Sequence, residues 1–159
     1  MAFLYIDSFV PGASELPGIV DDKNFLLKRM KLVLLKISGP PVITSYGYLY
    51  PSPPKGLDRR RDGLKANYKK IWDDTIIAFD WNTYGATANV ETYEINIGEF
   101  FLKKQITDLQ MQKVVLHETL HLMVDLPKSL NFALHHGQIN KIISKGLNLP
   151  GPPNPFCPD

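Results

Sequence analysis

Positions 117 to 121 read His-Glu-Thr-Leu-His, and they hold two of the four histidines in a chain of 159 residues. On a helix, residues four apart stand one above the other, so the imidazoles of His117 and His121 can reach a single ion. Glu118 is turned about 100° from His117, near that ion without having to ligate it. Neutral imidazole is a good zinc ligand near neutral pH. Zinc lowers the pKa of a bound water to about 7 and polarises a carbonyl, and Glu118 stands where it can take the proton that the water gives up. The chemistry on offer is metal-assisted hydrolysis. From composition alone the motif is expected roughly 0.003 times per chain. A glutamate on so apolar a helix is costly without a partner or a task.

A catalytic zinc takes three protein ligands and keeps one position open, so two histidines leave the site incomplete. All four histidines (117, 121, 135 and 136) fall within 20 residues of one another. No glutamate follows Glu118, which rules out a downstream Glu ligand. A His-x-x-Gly-x-x-His continuation is absent too, because Val124 and Pro127 hold the glycine and second-histidine positions. Asp125 lies one turn beyond His121, but successive ligands on a straight helix fan around its axis. It reads as a partner that orients a histidine, or as a helix-end carboxylate. His135 and His136 remain as candidates for the third ligand.

The motif needs a rigid, buried helix beneath it. Thr107-Asp-Leu-Gln110 is a capping box, Ile106 and Met111 sit where a hydrophobic staple would place them, and Asp108 suits the positive end of the helix dipole. The helix is expected to run to about Leu126, where Pro127 stops it. Val114, Val115, Leu116, Leu120, Leu122, Met123 and Val124 cover most of its circumference, so it should lie at the centre of the domain. A second helix over 130–145 has Phe132, Ile139, Ile142 and Ile143 as its inner face, flanked by His135 and His136. Residues 22–37 predict an earlier helix, with Lys28, Arg29, Lys31 and Lys36 on one arc. Its wide apolar arc suits core packing better than a membrane surface.

Strands are expected at 42–50 and 74–81, with a turn at 82–85 and a further strand at 90–97. In that last segment Tyr93, Ile95 and Ile97 alternate with Thr92, Glu94 and Asn96, as in a half-buried antiparallel strand.

At 44% hydrophobic and 21% charged, the chain reads as one globular domain over 1–148 with a proline-rich tail over 149–159. A net charge of +2 gives no global reason to bind nucleic acid or a membrane. Locally, Lys55–Lys70 carries seven basic and two acidic residues, which leaves −3 on the rest. Such a patch can contact phosphates, though a solvated loop leading into a short helix is the simpler reading. The single cysteine, Cys157, excludes an internal disulfide and fits a reducing compartment. It either reaches the zinc as a thiolate or rests free on an extended tail. The longest apolar runs are four or five residues, and the N-terminus lacks a basic start and an apolar core of signal length. A cytoplasmic protein is expected.

Taken with the Ile95-Asn96-Ile97 strand, the short link and the run Val114 to His121, the sequence resembles the zincin class of zinc metallopeptidases. His136-Gly137 after the HExxH motif is similar to the third-ligand arrangement of the SprT-like family. The likeness spans roughly Val90 to Ile143. In that family an apolar aromatic follows the third histidine by four; here Asn140 stands there, and Ile139 stands four after His135. The resemblance implies His117, His121 and His136 as zinc ligands, with His135 as the fallback, and Glu118 as general base. It implies an α+β fold: a small, mainly antiparallel or mixed sheet on a central HExxH helix with a second C-terminal helix. It also implies one zinc per chain and a peptide or protein substrate, held extended along the edge of the 90–97 strand. Tyr84, Tyr93 or the spare histidine would stabilise the oxyanion. SprT-like proteins act on DNA-bound protein, which Lys55–Lys70 would suit. The alternative is a non-catalytic binding protein stabilised by a closed zinc site, contacting nucleic acid through the same basic segment.

Overall fold

The structure is a computed structural model that describes residues 3–6, 9, 18–37, 68–123, 139, 140 and 143. The expected strand at 42–50, residues 55–67 of the basic segment, Asp125, His135, His136, most of the second helix and the tail with Cys157 lie outside them.

The fold is α+β, with a small mixed sheet. In chain order the described elements are β1 (Phe3–Tyr5), α1 (Lys23–Ile37), α2 (Tyr68–Asp74), β2 (Ile76–Phe79), β3 (Ala86–Asn89) and β4 (Glu94–Ile97). A 3-10 helix (Glu99–Leu102) and α3 (Asp108–Met123) follow. The sheet order is β1-β2-β4-β3. β1 pairs parallel with β2 and β2 parallel with β4, while β3 runs antiparallel to β4.

Two differences from the sequence reading concern the sheet. The strand expected over 90–97 begins only at Glu94, because Tyr93 adopts a left-handed backbone with φ of 56° and closes the turn that links β3 to β4. β4 is also an inner strand, flanked on both sides, and not an edge. The edge beside it is β3, Ala-Thr-Ala-Asn, whose small residues carry little strand signal of their own. Pairing residue by residue with β4, from Ala86 opposite Ile97 to Asn89 opposite Glu94, makes it a strand.

One face of the sheet supplies Ile77, Phe79, Ile95 and Ile97 to the core, all at least 96% buried. α1 and α3 complete that core with Leu26, Met30, Val33 and Leu34 from the first and most of the second. Asp22 caps α1 by accepting the Asn24 N–H at 2.8 Å. Arg29 leaves the basic arc, stacks over the Phe25 ring and donates to the carbonyls of Phe101, Lys103 and Lys104. It thereby fastens α1 to the end of the 3-10 helix and the turn that follows it. Among the described residues no helix is long and apolar enough to cross a membrane.

Gly98 leads from β4 into the 3-10 helix at a point of close backbone approach. A Cβ there would stand 1.6 Å from the Thr83 carbonyl oxygen, so only glycine fits. The sheet's other face, with Tyr5, Ile76 and Glu94, opens on a groove of about 1000 Å³ that holds none of the motif residues.

Candidate metal centre

α3 begins as its sequence dictates. The Thr107 N–H donates to Gln110 Oε1 at 3.0 Å and the Gln110 N–H returns to Thr107 Oγ1 at 3.2 Å, closing the capping box. Asp108 in the first turn also meets Lys36 of α1 at 3.4 Å, with both side chains about half exposed. Screening by solvent leaves such a pair worth little beyond orientation. From Met111 onward the helix is buried on nearly every side, between α1, α2 and β3. Thr119 satisfies its buried hydroxyl by donating to the Val115 carbonyl at 2.8 Å. The scaffold beneath the motif is therefore fixed by packing as well as by its cap.

On that scaffold His117 and His121 turn the same ring nitrogen to the same point. Their Nε2 atoms stand 3.0 Å apart, with ring centroids at 4.7 Å and planes inclined by 66°. Two nitrogens that each lie about 2.0–2.1 Å from one tetrahedral zinc are about 3.3 Å apart. The observed separation is within a few tenths of an ångström of that value, so the pair fits a shared ion.

The opposite nitrogen of His117, Nδ1, lies 2.9 Å from Asn140 Oδ1 in a buried contact. His117 is fully buried and His121 partly so, which makes His121 the more open of the two. Glu118 is only 4% exposed, and no hydrogen bond to its carboxyl is present among the described residues. Burial alone pushes that carboxyl from its ordinary 4.5 up to about 8.

His117 and His121 are thus brought together, with Glu118 on the same turn of α3. Among the described residues no group of three or more His, Cys, Asp or Glu converges to hold a metal ion. The described chain contributes the histidine pair, and both candidates for the third ligand, His135 and His136, lie outside it. Tyr84 and Tyr93 fall at opposite ends of β3, and the Tyr84 ring packs edge-on against Phe100 and beneath Lys103.

Two residues near the motif escaped the sequence reading. In the sequence Asn140 stands out only as a departure from an aromatic position, and its polar side chain four after His136 is the one signal it offers. Lys113 sits one turn before His117 on the same side of α3, 4% exposed, and burial lowers the pKa of its ammonium. A lysine inside an otherwise apolar helix was its only mark in the sequence.

The edge strand completes the geometry, since α3 packs against β3. The Gly98 N–H donates to the Gly85 carbonyl at 2.8 Å. Bonded and non-bonded pairs alternate in antiparallel pairing, so the N–H and C=O groups of Ala86 and Ala88 face away from β4. Among the described residues no strand pairs on that outer side. The chain matches no protein-family model, and comparison with curated proteins and with solved structures finds no match, so the reading of this site rests on its own geometry.

Proposed function

We propose that this chain is a zinc-dependent metallopeptidase with a zincin-like fold. The observation that carries the reading is the convergence of His117 Nε2 and His121 Nε2 to 3.0 Å, with the buried carboxyl of Glu118 on the same turn of α3. His117 and His121 hold the ion, and His136 is assigned as the third ligand. On the helix expected over 130–145, position 136 shares a face with Asn140, which meets His117. Position 135 is offset from Asn140 by about 140° on such a helix, and His135 stays the fallback.

Zinc, when bound, supplies Lewis acidity toward water and toward the substrate carbonyl. Glu118 takes a proton on its carboxylate oxygen and delivers it to the leaving amine. Its pKa of about 8 without metal falls when a cation stands beside it, which brings the group into the range useful for both transfers. Substrate lies extended along β3, taking the outward N–H and C=O groups of Ala86 and Ala88 in the manner of an added strand. A structural zinc site, as in a non-catalytic binding protein, has no use for a desolvated carboxyl at this place.

The first experiment is zinc per chain, by elemental analysis of protein purified without chelator, beside His121→Ala. About one zinc per chain, lost in the variant, supports the site. Folded protein without zinc overturns it. Glu118→Gln should then abolish hydrolysis of an unfolded protein substrate while keeping the zinc; retained hydrolysis refutes the assigned role.

A further inference from the structure

We infer that Asn140 is a positioning residue that locks His117 in the tautomer carrying its proton on Nδ1, which leaves the Nε2 lone pair of His117 turned toward His121. The lock stands on geometry alone, and its consequence for zinc rests on the reading above.

The carboxamide presents Oδ1, an acceptor only, to His117 Nδ1 at 2.9 Å in a buried contact. The proton in that bond must therefore come from the imidazole. A neutral ring protonated on Nδ1 has its lone pair on Nε2, the atom 3.0 Å from His121 Nε2. That lone pair is the one a shared ion would take.

His117 held in this tautomer is already in the ligating form and needs no change when an ion binds. Asn140 stands 23 residues beyond His117, so the lock joins two segments far apart in sequence. Outer partners of ligating histidines of this kind are worth about 10- to 100-fold in metal affinity.

The test is long-range nitrogen–proton NMR on protein labelled at histidine nitrogen, treated with chelator and kept at about pH 8, above the usual imidazole range. His117 should appear as the Nδ1–H tautomer, and zinc alone should leave it in that form. Asn140→Ala should let His117 sample both tautomers and weaken zinc binding about 10- to 100-fold, measured by competition with a chelating dye. Asn140→Asp keeps an acceptor and should restore both. His117 found with its proton on Nε2 in the unaltered protein overturns the inference without any variant. An Asn140→Ala protein with unchanged tautomer and zinc affinity overturns it as well. If the lock is observed but the protein takes up no zinc, the assignment of Asn140 stands and the peptidase reading falls.

Discussion

Glutamine in place of Glu118 isolates what burial does to this carboxyl. The side chain is 4% exposed and its pKa rises from 4.5 to about 8, so between those values the folded chain holds a proton that the unfolded chain has released. Stability from this group is fully present below about 4.5 and is lost as the pH climbs through about 8. At about 1.4 kcal/mol per unit, the unaltered protein should lose roughly 4 kcal/mol between pH 5 and pH 9 through this one residue. Glutamine has the shape of the protonated acid and nothing to titrate, so Glu118→Gln should match the unaltered protein near pH 5 and exceed it increasingly above. Every other group contributes equally to both curves, and their difference reports Glu118 alone. The assay is urea unfolding in chelator at pH 5, 7 and 9. Saturating zinc should flatten the difference, since a cation beside the carboxylate offsets its desolvation. Parallel profiles for the two proteins would refute the argument that burial controls this group. A variant less stable at every pH would point to a structural role for Glu118.

Three other perturbations probe the scaffold and the edge. Thr107→Ala opens the capping box at the start of the motif helix and should cost about 1 kcal/mol in urea unfolding; no change would mean that packing alone fixes the helix start. Gly98→Ala drives a Cβ into the Thr83 carbonyl and should cost about 3 kcal/mol or more, lowering the thermal midpoint; a tolerated alanine would contradict the close approach. Ala88→Pro removes an outward N–H from the edge strand while sparing the bonds to β4. It should reduce kcat/KM on protein substrates about 3- to 10-fold with zinc content unchanged, and undiminished turnover would exclude β3 as the substrate strand.

What the sequence determined by itself is the part built from contacts three and four residues apart. His117 and His121 stack because a helix repeats every 3.6 residues, and Thr107 and Gln110 cap one another for the same reason. Both are seen as expected, at 3.0 Å between the imidazole nitrogens and at 3.0 and 3.2 Å in the cap. Ile95 and Ile97 alternate to the buried face as their spacing implied, and Ile77 and Phe79 lie on the same face.

The tertiary structure alone decided the rest. Ala86–Asn89 is a strand because Glu94–Ile97 offers it a ladder, and no propensity in Ala-Thr-Ala-Asn announces that. β4 is internal because β2, the strand that precedes β3 in the chain, takes its other side. The contact of Asn140 with His117 and the burial of Lys113 depend likewise on segments far apart in sequence. Periodicity is a property of one segment, whereas an edge, a desolvated carboxyl and a tautomer are properties of what packs beside it.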